Sequence, residues 1–211
     1  MATPEECKIV GNALRGLCGT LQQPGKTAWD TADRVFLELE LPEDDHKGGR
    51  AHLARHVLRR GLRRATDLDG WHLPRGCTPN SELKLCRDTM TLKILRPGFR
   101  RDSVPHPGPN RARMYYYRNP LLNLYDADGS NLIGVWTIDK ETGEFHVRVV
   151  RPTKPWKALG REDVDIDFIL PDSSVDLESL EFIPSDEAIP LPFEFDENEG
   201  EEGGHVGPIG G

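Results

Sequence analysis

The chain has 211 residues, 36% of them hydrophobic and 29% charged, with a formal net charge of −8. That length suits one medium domain with a tail, or two small domains, and 17 Pro with 21 Gly commit much of it to loop or extended backbone. No stretch nears the roughly 20 apolar residues of a bilayer-spanning helix, and Met1-Ala2-Thr3-Pro4-Glu5-Glu6 lacks the layout of a signal peptide, so an intracellular, cytoplasmic protein is expected.

In chain order, Thr3-Pro4-Glu5-Glu6 predicts a helix start: Thr3 caps, Pro4 takes the first helical position, and Glu6 completes a capping box. Cys7, Val10, Leu14, Leu17 and Leu21 recur at three and four residues as one apolar stripe, which Gln23-Pro24-Gly25 is expected to end. A short helical turn is expected over 27–33. Val35, Leu37, Leu39 and Leu41 alternate with Phe36, Glu38 and Glu40, a period of two that predicts a strand ending at Pro42. Residues 50–66 read as an amphipathic helix. Leu53, Ala54, Val57, Leu58, Gly61, Leu62 and Ala65 fill one half of its wheel; Arg55, Arg59 and Arg63 fill the other, with His52 and His56 beside them.

Met90, Leu92 and Ile94 alternate with Thr89, Thr91 and Lys93, predicting a second strand, and the four prolines from Pro97 to Pro109 predict an irregular connection. Residues 112–117, 121–125, 131–138 and 144–151 are strand-like, with turns at Asp126-Ala127-Asp128-Gly129-Ser130 and Asp139-Lys140-Glu141-Thr142-Gly143. Val164, Ile166, Phe168 and Leu170 alternate with Asp163, Asp165 and Asp167 as a last, edge strand. The predicted fold is α+β: early helices packed on an antiparallel meander sheet, with an acidic disordered C-terminal tail. One domain is expected over 3–185, its helical and basic part at 3–96 and its β meander at 110–170. The Gly-rich tail, 186–211, holds too little apolar surface to offset its ordering entropy.

Charge is segregated along the chain. Lys47 to Arg118 carries 17 Lys/Arg against 5 Asp/Glu, and Arg161 to Gly211 carries 1 against 16. A basic centre followed by an acidic tail points to polyanion contact, to self-masking, or to both. Arg55, Arg59, Arg60, Arg63 and Arg64 on the basic helix suit a phosphate backbone, because guanidinium is planar, always charged and presents paired donors. Arg96, Arg100, Arg101, Arg111, Arg113 and Arg118 form a second basic patch interleaved with Phe99, Tyr115 and Tyr117, aromatics able to stack on unpaired bases. The competing readings are a solvated helix face whose arginines pair with the chain's own carboxylates, and an anionic membrane surface.

Other patterns carry less. The strand at 35–41 feeding the basic helix resembles half of a ribbon–helix–helix DNA-binding unit over about 30 residues, though Trp71-His72-Leu73-Pro74 stands where a second helix would be needed. His52 and His56 have zinc-ligand spacing, but the gap between Cys77 and Cys86 does not fit zinc. Asp126 to Ser130 opens like a calcium loop, yet Asn131 and Thr137 replace the Gly and Glu it requires. Asp163, Asp165 and Asp167 lack a basic partner nearby in sequence for phosphoryl chemistry and read as an exposed strand face. Gly210-Gly211 looks like the end of ubiquitin-like modifiers over two residues only. Asp167-Phe168-Ile169, Glu181-Phe182-Ile183 and Glu194-Phe195 form a weak acidic–aromatic repeat.

No motif specifies a reaction, and neither cofactor nor metal is expected. His72, His106 and His146 are the candidates by residue type were the protein an enzyme. The expectation is a non-enzymatic binding protein that presents its basic helix and basic–aromatic loops to a nucleic acid or an acidic protein surface, its tail masking the site. The alternative is a protein–protein module, such as an inhibitor, immunity or assembly factor, whose acidic tail binds a basic protein partner.

Overall fold

The computed structural model describes residues 2–65, 68–75, 82–98, 103–119, 130–139, 141–158 and 160–178. Helix α1, Pro4–Leu14, begins as its sequence dictates. The Thr3 hydroxyl accepts from Glu6 N–H, and the Glu6 carboxylate accepts from Thr3 N–H at 2.5 Å. The stripe expected to continue to Leu21 instead leaves α1 through a 3-10 turn at Arg15–Leu17 and a bend at Gly19, whose φ is +69°.

Gln23-Pro24-Gly25 does not end a helix but opens one. Helix α2 runs Gln22–Glu38, and Pro24 sits in its first turn, where no N–H partner is required. The strand expected at 35–41 is therefore corrected. Gly25, Ala28, Ala32 and Phe36 form the buried face at helical spacing, while Leu37 and Leu39 are exposed. A Schellman closure ends the helix: Glu40 N–H donates to Leu37 C=O and Leu41 N–H to Phe36 C=O, with Glu40 at φ +54°. Pro42 then turns the chain into α3, Glu43–Arg64, which packs along α2.

Five strands follow: β1, Leu83–Arg87; β2, Met90–Leu95; β3, Asn131–Ile138; β4, Phe145–Pro152; and β5, Val164–Ile169. They form one sheet in sequence order, with β5 at an edge. The fold is α+β, as expected, on a mostly antiparallel sheet: three pairs are antiparallel, and β2 and β3 run parallel. The reason lies in the connection. Residues 112–117, expected to be a strand, contain helix α4, Arg111–Tyr116, capped where the Asn110 side chain accepts from Arg113 N–H. A crossover carrying a helix returns the chain parallel to the strand it left. The turn after β3 forms as expected, with Gly143 at φ +68° and Asp139 N–H donating to Glu144 C=O. The strand expected at 121–125, residues 126–129 of the expected turn, Cys77 and the tail 186–211 lie outside the described residues. Helix α5, Ser174–Glu178, closes the described chain.

Both faces of the sheet are covered. Leu83, Leu85, Leu92, Ile94, Leu132, Trp136, Phe145, Val147 and Val149 meet α1, α2 and α3 in the main core. Ile133, Val135 and Val150 point the other way and meet Val104, Tyr116 and Tyr117. Alternation along each strand thus places α3 and α4 on opposite faces. Among the described residues no helix is long and apolar enough to cross a membrane.

Gly25 shows how tight the main core is. A Cβ there would stand 2.3 Å from Phe145 Cε1, and that ring stacks on Trp136 at 5.9 Å. Replacing a helical Gly by Ala ordinarily gains about 0.5–1 kcal/mol, whereas overpacking costs about 1–3, so the clash wins. Gly25→Ala is expected to cost about 1–2 kcal/mol of stability, seen as a lower urea midpoint with an unchanged m-value. An unaltered or raised midpoint contradicts this.

Candidate polyanion interface

The rotation of α3 about its axis decides what its arginines can do. Ala51, Ala54, Leu58 and Leu62 form its buried line, spaced as one helical face requires. The exposed row opposite is His52, His56, Arg60, Arg63 and Arg64, while Arg55 and Arg59 are half-buried on its flank. The expected outward row of Arg55, Arg59 and Arg63 is corrected accordingly. Ala51 and Ala54 are buried where Leu53 and Val57 are only half-buried, and that turns the wheel by part of a residue step.

Arg55 leans over a cleft lined by Gly25, Trp29, Ala54, Leu58, Leu83, Ile94, Trp136 and Phe145. The cavity there is about 10 Å³, room for a water and not for a ring. Burial and then the neighbouring Arg96 hold the Arg55 guanidinium below its usual range, against the pull of Glu82. Glu82 also pairs with Lys93 at 2.7 Å, and Lys93 stands 4.1 Å above the Tyr116 ring. Arg55 and Arg96 therefore meet at the open end of the β1–β2 pair, with Glu82 between them and Lys93.

On α4, Arg111, Arg113 and the following Arg118 are exposed, and Tyr115 is 76% exposed. Tyr116 and Tyr117 point inward. The Tyr116 hydroxyl donates to Leu132 C=O at 2.7 Å, and the Tyr117 hydroxyl donates to Pro105 C=O while its ring meets Trp156 edge-on at 5.0 Å. Burial pushes both phenols up. Tyr117, expected among the stacking aromatics, is thus a core residue, and Tyr115 is the aromatic α4 offers to solvent. Phe99, Arg100 and Arg101 lie outside the described residues.

Elsewhere the described arginines are mostly consumed internally. Arg50 pairs with Asp33 at 2.5 Å, Arg87 with Asp69 at 3.1 Å, and Arg148 with Glu162 and Asp167. Arg151, nearly buried, pairs with Asp165 at 2.6 Å and Glu6 at 3.3 Å. By contrast, among the described residues Arg60, Arg63, Arg64, Arg111 and Arg113 have no carboxylate partner.

These pairs also correct the aspartate strand. Asp163 bonds Lys154 and the Thr153 hydroxyl, Asp165 is almost buried against Arg151, and Asp167 holds Arg148. They are ion-pair partners, not an open carboxylate face. The signal was the arginines of β4, interleaved with valines opposite an Asp-rich strand, and sequence reasoning missed it. Cys7, Cys18 and Cys86 are free thiols. Although His52 and His56 stack at 6.4 Å, no metal-binding cluster of three side chains forms among the described residues. His72 lies on the β1 edge and His146 on β4, with β2 and β3 between them. His106 is exposed, its Nδ1 accepting from Gly108 N–H.

Comparison with known proteins gives no match: no family model, no curated protein and no solved structure matches this chain.

Proposed function

We propose that this protein is a non-enzymatic binding protein that presents the arginines of α3 and α4 to a nucleic acid or another polyanion, with the acidic tail as internal competitor. The observation that carries this reading is the contrast in pairing. Arg50, Arg87, Arg148 and Arg151 are tied to carboxylates of the fold, whereas Arg60, Arg63, Arg64, Arg111 and Arg113 are exposed without one among the described residues. A structural arginine is normally paired where it is buried; an exposed cationic row costs self-repulsion and suits a partner rich in phosphate.

Residues 186–211 contain eight Asp/Glu and no Lys/Arg, so removing them takes the formal net charge from −8 to 0. A tethered competitor acts at an effective concentration of roughly millimolar. Even a weak intrinsic affinity, about 0.1 mM, then masks the site about tenfold. Deleting 186–211 is expected to tighten heparin or oligonucleotide binding about tenfold near 0.1 M salt. It should also steepen the salt dependence, because salt ions then replace the tail as the ions released. Unchanged affinity and slope in a salt titration followed by anisotropy would count against tail masking.

A further inference from the structure

Resting on that reading, we propose that the ligand is a single-stranded nucleic acid, which crosses from α3 around the end of the β1–β2 hairpin to α4 and stacks an unpaired base on Tyr115. Three observations converge on this. The first is the division of the cationic surface. The α3 row lies on the face of the main core, and α4 lies on the opposite face with Tyr116 and Tyr117 in the smaller core. Two layers of roughly 10 Å separate the helix axes by about 20 Å, with the sheet between them. Duplex DNA has a persistence length of about 150 base pairs, so a duplex follows one face and leaves the other. A single strand bends freely enough to contact both.

The second is the route. Arg96 follows β2 and neighbours Arg55, and Val104, further along the chain, is buried in the smaller core on the α4 side. Lys93 stands over Tyr116 on that side. Arg55 and Arg96 thus mark the start of a path past the open end of the β1–β2 pair, while Lys93 is neutralised by Glu82 and lends its charge to the Tyr116 ring.

The third is the platform. Tyr115 is 76% exposed, which leaves its ring open to stacking by a base. Arg111 stands one helical turn before Tyr115, and Arg118 follows it by three residues, both exposed. The platform is also held firmly. The Tyr116 hydroxyl is fixed by Leu132 C=O and Thr91, and Asn119 clamps the chain after α4 by donating to Asn131 C=O at 2.9 Å and Pro152 C=O at 2.7 Å. These bonds fix the backbone that carries Tyr115, so stacking orders only the Tyr115 side chain itself. Stacking with flanking phosphate contacts is how sequence-tolerant single-strand binders work.

The test measures anisotropy of a labelled single strand of about 20 nucleotides, enough to span one or more stacking sites, and of the matching duplex. It uses the full chain and its Tyr115→Ala and Tyr115→Phe variants, with heparin as competitor. The expected result is single-strand binding at least about tenfold tighter than duplex binding. Tyr115→Ala should weaken single-strand binding about 5- to 100-fold, leave duplex and heparin binding unchanged, and be rescued by Tyr115→Phe. Because Tyr115 is exposed, the variant's far-ultraviolet circular dichroism should match the parent. Equal affinity for both strand forms, or no effect of Tyr115→Ala while heparin still binds, overturns the single-strand inference and spares the broader polyanion reading. No binding to heparin or either nucleic acid overturns both, and capture by phosphatidylserine vesicles instead would assign the surface to an anionic membrane.

Discussion

Replacing Arg60, Arg63 and Arg64 together by glutamate is expected to weaken oligonucleotide or heparin binding at least about a hundredfold while the fold survives. All three side chains are exposed on α3. A phosphate that no arginine neutralises keeps its condensed counterion. Log affinity against log salt should therefore flatten by about 2–3 in slope, at about 0.7 per phosphate for a single strand or 0.9 for a duplex. Repulsion from three new carboxylates weakens binding further. The cost to folding is smaller. Surface changes away from special features stay within about 0.5 kcal/mol each, and acids in the last turn of a helix add about 0.3–1 kcal/mol each through the helix dipole. The neutral triple variant with glutamine should fall between parent and reversal. If both triples keep parental affinity and slope, α3 is not the binding element. If neutralising Asp196, Glu197, Glu199, Glu201 and Glu202 instead abolishes capture of a basic protein, the tail is the working surface.

What the sequence made legible follows from how local each signal is. The Thr3–Glu6 box, the alternation of β2, β4 and β5, and the Asp139–Gly143 turn are decided within a few residues, and each appears where expected. The two inversions of type came from segments that support either period. Val35 to Leu41 alternates, but nothing interrupts the helix begun at Gln22, and burial of Phe36 against α3 settles the competition. Tyr115, Tyr116 and Tyr117 favour strands by propensity, yet the Asn110 cap and the burial of two rings under the sheet make a helix. The parallel β2–β3 pair depends on that helix and so was hidden with it.

The candidate surface was legible as composition and not as geometry. Counting arginines found the right segments. It could not give the rotation of α3, which moved Arg55 and Arg59 to the flank, nor the rotation of α4 that buries Tyr116 and Tyr117 and exposes Tyr115. It also could not distinguish arginines that bind from arginines that hold the fold, because Arg148 and Arg151 find their carboxylates across strands and on α1.

That internal set supplies the largest expected loss of stability. Arg151→Met is expected to destabilise the protein by about 3–5 kcal/mol at pH 7, a large part of an ordinary domain's roughly 5–15. The methionine fills much of the same volume, so the loss is electrostatic: Asp165 and Glu6 remain, one nearly buried and one largely so, without the guanidinium that bonded both. Glu6 gives the pH signature. Burial pushes its carboxyl up, but the Thr3 N–H bond, the charge of Arg151 and its remaining bonds to Thr3 and Arg151 together hold it below the ordinary value of 4.5. Its folded pKa is depressed, so its contribution is full above the unfolded pKa and is lost as pH falls through the folded value. In Arg151→Met the two lowering influences of Arg151 vanish while the Thr3 bonds remain, so the Glu6 pKa rises relative to the parent. The gap between parent and variant should therefore narrow as urea melts are taken from about pH 7 to below about pH 4. Arg151→Met combined with Asp165→Leu and Glu6→Gln should recover most of the loss, since Gln can still complete the capping box with Thr3 and no buried charge is left unpaired. A deficit under about 1 kcal/mol at pH 7, or one that stays constant into acid, would show that the guanidinium is a spectator and that α1 is joined to the sheet by apolar packing alone.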